Sequence, residues 1–145
     1  MRNSKLTILI VEDDKIDVLT IKRSFKELNI LNPVVVCENG LEALDYLNNP
    51  ENKKPGIILL DINMPKVDGI EVLRQFQTYD DVPQVIILSS YDDIKLIKEV
   101  LSMGAKGFVP KKSAGEHIVK AIRNVYQGQQ YFSEEVKEKM MKTLM

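Results

Sequence analysis

With 145 residues, 44% of them hydrophobic and 28% charged, the chain has the size and composition of one ordinary globular domain with room for a full core. A net charge of −1 excludes a whole-surface attraction to nucleic acid or anionic membrane, and no apolar run approaches the roughly 20 residues of a membrane span. The single cysteine, Cys37, excludes an internal disulfide, and an N-terminus that passes from a short apolar stretch straight into acids is no signal peptide, so a cytoplasmic location is expected.

Leu6 to Val11 predicts a first strand, and Ile16, Val18, Leu19, Ile21, Phe25 and Leu28 recur at nearly helical spacing after it. Pro33 precedes a second strand, Val34 to Cys37. Asn39-Gly40 breaks it, and Leu41, Ala43, Leu44 and Leu47 mark a second helix. Residues 48–56 are a loop by composition. Gly56 to Leu60 is a third strand, and Pro65 and Gly69 bracket a turn before a helix carrying Ile70, Val72, Leu73 and Phe76. Pro83 introduces a fourth strand, Gln84 to Leu88. Asp92 or Asp93 is placed to cap the next helix, whose inner face holds Ile94, Ile97, Val100, Leu101 and Met103 and which Gly104 ends. Gly107 to Val109 is a short fifth strand. Ile118, Val119, Ile122 and Val125 stripe a fifth helix that stops near Gly128.

Strands that alternate with helices and carry unbroken Val, Ile and Leu runs are buried on both faces, as in a parallel sheet with right-handed crossovers. The fold class expected is therefore α/β, a doubly wound, flavodoxin-like sheet of five parallel strands in the order 2-1-3-4-5 with five helices. Beyond it, Phe132, Val136, Met140 and Leu144 recur every four residues behind Ser133, Glu134 and Glu135, which predicts a short C-terminal helix. That helix either packs on the domain or serves as a connector or dimer helix.

Four of the five predicted strands end in a polar signal: Glu12-Asp13-Asp14, Asp61, Ser89-Ser90 and Lys111. Ligands bind at the carboxyl edge of an open α/β sheet. Several carboxylates, a hydroxyl and an ammonium suit a hard cation and a phosphoryl group, with Asp61 as nucleophile, Glu12 and Asp13 as oxygen ligands and Lys111 as a point charge. Asp14 is a solvated turn residue or a helix cap. Lys112 reads as a solvated neighbour, Ser90 as a small residue that leaves the approach open, Cys37 as a small buried hydrophobe and His117 as an edge residue.

The segments ILIVEDD, LLDINMPKVDG, IILSS and GFVPK resemble the receiver domain of bacterial two-component response regulators, the CheY-like family. The resemblance covers about residues 5–128, leaving 129–145 as a C-terminal extension, a helix or a truncated linker to an output domain. It implies that Asp61 is the phosphoacceptor and that Mg2+ is held by Glu12, Asp13, Asp61 and the backbone carbonyl of Asn63. It further implies that Ser89 is the switch hydroxyl, Phe108 the switch aromatic and Lys111 the phosphate-binding lysine. Asn63 and Tyr91 correspond to positions that modulate hydrolysis of the acyl phosphate, where bulky Tyr91 is expected to slow it. The implied partners are a sensor histidine kinase or a phosphotransfer protein, and a second copy through the α4-β5-α5 face or the C-terminal helix. DNA enters only if an output domain follows residue 145.

Two features shade the resemblance. Lys112 stands where the family often has proline, and GFVPKKSAGEHIVKAIRNVYQGQQYFSEEV is similar to the NarL/LuxR branch, whereas DKIDVLTIKRSFKELNI is more similar to single-domain, phytochrome-partner receivers. A haloacid-dehalogenase-type phosphatase also uses a strand-end aspartate with magnesium, but it needs a second aspartate two residues on as general acid. Asn63 holds that position. The expectation is accordingly a phosphorylated regulatory domain and not an enzyme.

Overall fold

The apolar runs become strands and the striped segments become helices, in alternation. In the computed structural model, which describes residues 6–63, 69–91 and 94–144, the order is β1 (Thr7–Val11), α1 (Lys15–Glu27), β2 (Val34–Cys37), α2 (Gly40–Asn48), β3 (Pro55–Asp61), α3 (Gly69–Phe76), β4 (Val85–Ser89), α4 (Ile94–Ser102), β5 (Gly107–Pro110), a 3-10 turn (Lys111–Ser113), α5 (Ala114–Tyr126), β6 (Tyr131–Phe132) and α6 (Glu134–Leu144). The sheet is parallel throughout, in the order β2-β1-β3-β4-β5-β6. The expected order 2-1-3-4-5 is present, with one strand added at its end.

Strand alternation sends neighbouring residues to opposite layers. Ile57 and Leu59 of β3 pack with Ile21 and Phe25 of α1 and Ile118 and Ile122 of α5. Ile58 and Leu60 pack on the other side with Ala43 of α2, Phe76 of α3 and Val100 of α4. The helices thus form two layers, α1 and α5 on one face and α2, α3 and α4 on the other. Among the described residues no helix is long and apolar enough to cross a membrane.

Two glycines are dictated by geometry. At Gly69 a Cβ would stand 2.4 Å from the Ile62 backbone, so only glycine lets α3 start against the end of β3. Gly104 has φ of 96°, the left-handed conformation that closes a helix, as expected after α4.

Two expectations need adjustment. On α1, Ile21 and Phe25 face the core, but Ile16 and Leu19 are exposed, because the buried stripe is narrower than the run of apolar residues. Phe132 belongs to β6 and not to the last helix: Tyr131 and Phe132 pair with Gly107 and Phe108 of β5. The C-terminal helix begins only after Ser133, whose hydroxyl accepts from the Val136 N–H. Of the two readings of the tail, packing on its own domain is the one the structure bears out. Val136 is fully buried, Phe132 and Met140 are half-buried against the same cluster, and α6 lies against α4. Capping by Asp92 or Asp93, the turn at Pro65 and the Leu144 side chain fall outside the described residues.

Candidate functional site

The same alternation that builds the core aims the charges. Glu12 continues the parity of Ile8 and Ile10, and Asp61 that of Ile57 and Leu59, so both point toward the α1/α5 layer at the strand ends. Lys111, two residues after Val109, meets them there. Its Nζ lies 2.8 Å from Glu12 Oε1 and 2.9 Å from Asp61 Oδ2, with both carboxylates buried and the lysine nearly so. A third acid completes the group: Asp17 Oδ2, from the first turn of α1, stands 3.1 Å from the same ammonium.

Burial and the nearby Asp61 carboxylate push Glu12 up to about 8, against which Lys111 acts in the opposite sense. For Lys111, burial favours the neutral amine, but the close carboxylates of Glu12, Asp61 and Asp17 outweigh it and hold the ammonium above its ordinary range. Removing Lys111 from this set would leave the buried carboxylates of Glu12 and Asp61 uncompensated, which costs far more than either pair contributes.

Asp13 is exposed, and one oxygen of each of Glu12, Asp13 and Asp61 lies within 4.8 Å of the others. Glu12 Oε1 is buried and accepts no well-formed hydrogen bond, so beyond the Lys111 charge it retains lone-pair capacity. Hard carboxylate oxygens converging on one point, one of them underused, fit a divalent cation such as magnesium. Asp14 is not part of this set. Its Oδ1 accepts from the N–H groups of Ile16 and Asp17, the cap of α1.

Asn63, two residues past Asp61, occupies a junction. Its N–H donates to Asp61 Oδ1 at 2.8 Å. Its side-chain Oδ1 accepts from the Ser89 hydroxyl at 3.1 Å and from the Ser90 N–H at 2.7 Å. Ser89 Oγ in turn accepts from the Tyr91 N–H at 3.0 Å. Both hydroxyl functions of Ser89 are thereby used, and the residue is fully buried. The Tyr91 side chain is exposed, and Phe108 is wholly buried in the α4-side layer, so neither lines the acid pocket itself.

The remaining candidates have structural partners. Lys112 is exposed and pairs with Glu135 of α6. His117 Nδ1 lies 2.6 Å from the Tyr131 hydroxyl, joining α5 to β6, and Cys37 is buried with its thiol pushed up to about 11 by burial. A cleft of about 610 Å³ lies at the amino ends of β3 and β4, between Lys54 and Asp81, far from the acids. Sequence reasoning missed Asp17 and the carboxamide of Asn63. Asp17 was detectable: it precedes Ile21 by one turn, a carboxylate on the buried stripe of α1 at the end nearest the strand tips.

The chain matches the response regulator receiver domain family over residues 8–123. It is 32% identical to the transcriptional regulatory protein DegU of Brevibacillus brevis over 143 residues, 98% of this chain but 59% of that protein's length. Among solved structures, it is 32% identical to the bacteriophytochrome response regulator AtBRR, with a TM-score of 0.71 over 82% of this chain and 91% of that one. The isolated receiver domain of RcsB from Salmonella enterica serovar Typhimurium superposes with a TM-score of 0.82 over 93% of this chain and 98% of that one, and at 20% identity this likeness concerns the fold alone. The buried strand-end aspartate bound to a lysine beside an acidic cluster agrees with that match over most of the sequence, and the chain belongs to the response regulator receiver domains of two-component systems.

Proposed function

We propose that the chain is a phosphorylation-operated switch in which Asp61 accepts a phosphoryl group from a phosphohistidine of a sensor kinase or phosphotransfer protein. The observation that carries this is the position of Asp61: fully buried at a strand end, with one oxygen on Lys111 and the other on the Asn63 N–H. Those donors aim the carboxylate and remain to bind the product. The carboxylate forms an O–P bond as the donor's N–P bond breaks, and the leaving imidazole nitrogen retains the electron pair and takes a proton. Glu12, Asp13, Asp61 and the Asn63 carbonyl would hold magnesium, which supplies neutralisation of the phosphoryl oxygens when bound. Lys111 pairs with one phosphoryl oxygen, Ser89 turns its hydroxyl toward another, and Phe108 follows into the space that Ser89 leaves.

On this reading the chain works on itself and is not an enzyme turning over a substrate. A phosphatase of the haloacid-dehalogenase type is disfavoured because the residue in the general-acid position, Asn63, is a carboxamide already engaged by Ser89 and Ser90. The receiver unit spans residues 5–128, with 129–145 an extension of it, and the setting is cytoplasmic. A second copy docks through the α4-β5-α5 face or the C-terminal helix, a surface that includes the tail because β6 pairs with β5 and α6 lies against α4, and DNA is a partner only through an output domain. Intact-mass spectrometry after incubation with magnesium and acetyl phosphate tests the central claim. One phosphoryl adduct is expected on the wild type and none on Asp61→Asn; equal labelling of both removes Asp61 from its role.

A further inference from the structure

We propose that the side-chain carboxamide of Asn63 is a latch that holds Ser89 in the resting state, which makes Asn63 a positioning residue of the switch. This rests on the reading of Asp61 and Ser89 given above, and goes beyond it in naming what Ser89 must let go.

A hydroxyl carries one hydrogen. In the resting arrangement that hydrogen is given to Asn63 Oδ1 at 3.1 Å, while the oxygen accepts from the Tyr91 N–H at 3.0 Å. Donation to a phosphoryl oxygen on Asp61 therefore requires the Asn63 bond to break. Ser89 is fully buried, so water is a poor substitute partner, and the resting bond resists the change. Asn63 is also well placed to register events at Asp61, since its own N–H is bonded to Asp61 Oδ1 at 2.8 Å. One residue thus joins the phosphoacceptor to the β4–α4 segment through its main chain on one side and its side chain on the other. Ser90 shares the arrangement, donating its N–H to the same Oδ1 at 2.7 Å.

An interaction made in the resting state and absent from the switched state biases the equilibrium toward rest. Its removal must favour the switched state, whatever the rate of hydrolysis. Beryllofluoride with saturating magnesium, a phosphoryl mimic that does not turn over, isolates this effect. Asn63→Ala is expected to bind beryllofluoride about threefold to tenfold more tightly than wild type, the change that one hydrogen bond carries. In the unloaded variant, the Ser90 and Tyr91 amide resonances should move toward their positions in loaded wild type. In a Ser89→Ala background the same substitution should give no tightening.

Asn63→Asp keeps both acceptor functions and should leave the unloaded Ser90 and Tyr91 amides near their wild-type positions. In wild type itself, the carbonyl carbon resonance of the Asn63 carboxamide should shift on loading, as one of its two donors departs. That resonance unmoved, affinity unchanged in Asn63→Ala, or tightening that survives in the Ser89→Ala background each overturns the latch while leaving the receiver reading intact. A wild type that takes neither beryllofluoride nor phosphoryl on Asp61 overturns the receiver reading, and the latch with it.

Discussion

Lys112 Nζ stands 3.2 Å from Glu135 Oε1, tying the residue next to Lys111 to the first turn of α6. Both side chains are about half exposed or more, so the pair is a marker of position and a weak source of stability. Glu135→Gln should change unfolding free energy by no more than about 0.5 kcal/mol. Val136, the next residue, is fully buried, and Val136→Ala should cost about 1–3 kcal/mol. Urea unfolding of the two variants separates them; equal effects would mean that α6 is not seated on the core as described.

Asp13 and Asp14 are adjacent and should fail in different ways. Asp13→Ala is expected to weaken magnesium binding by at least tenfold in calorimetric titration, roughly the effect of losing one carboxylate ligand. Asp14→Ala should leave magnesium binding nearly unchanged and lower stability by about 1 kcal/mol, because it removes the acceptor for two N–H groups at the start of α1. The reverse order would falsify the ligand assignment.

Glu12 carries a pH dependence with a definite sign. Its folded value, about 8, lies above the ordinary carboxylate value of 4.5, so the folded state binds more protons than the unfolded state between those limits. Metal-free stability should therefore fall as pH rises from about 5 to 8, through this group. Magnesium requires the carboxylate, so its affinity should rise over the same interval, with proton release on binding. Glu12→Gln should stabilise the metal-free protein at pH 8 by about 1–2 kcal/mol and weaken magnesium binding. A variant less stable than wild type at that pH contradicts the argument.

Asp17 should matter to Lys111 but not decide labelling. It is one of three acids on the ammonium and the most exposed of them. Asp17→Asn is expected to cost about 0.5–1 kcal/mol in thermal unfolding and still acquire phosphoryl on Asp61. Lys111→Met should abolish or severely slow labelling under the same conditions. If Asp17→Asn also failed to label, the ranking of the three acids would need to be redrawn.

Tyr91 has an exposed side chain and a backbone N–H committed to Ser89. By the family resemblance, a bulky side chain at this position is expected to slow hydrolysis of the acyl phosphate, by keeping a correctly placed nucleophile out. Decay of the phosphorylated protein, followed by mass or radiolabel, should be faster in Tyr91→Glu or Tyr91→Ala. Equal or slower decay in both excludes the side chain from that role.

What could be read from the chain alone follows physical range. Unbroken runs such as Ile57 to Leu60 and the polar residues at their ends specify strands, layers and the pocket, because alternation and burial are local properties of the sequence. Asp61, Lys111 and Glu12 therefore declared themselves. Exposure of Ile16 and Leu19 did not, since a helix tolerates apolar residues on its wet side and the pattern alone cannot mark the edge of the buried stripe. Phe132 fits a helical stripe as well as a strand, and only its pairing with Phe108 decides. Spacing on α1 hints at Asp17, but that it meets Lys111, 94 residues away, and that the Asn63 carboxamide meets Ser89, 26 residues away, are contacts that only the fold supplies.

Placing Tyr131 and Phe132 beside Gly107 and Phe108 also changes what the sheet offers to other molecules. Without β6, the outer side of β5 would present a bare row of amide and carbonyl groups, the kind of border on which foreign strands assemble. The Tyr131 N–H instead satisfies the Lys106 carbonyl at 3.0 Å, and the new border is only two residues long. A border that short gives an incoming chain little to pair with. Residues 131–132 thus make the domain harder to extend by accident, a service to solubility that is separate from any signalling role of the helix behind them.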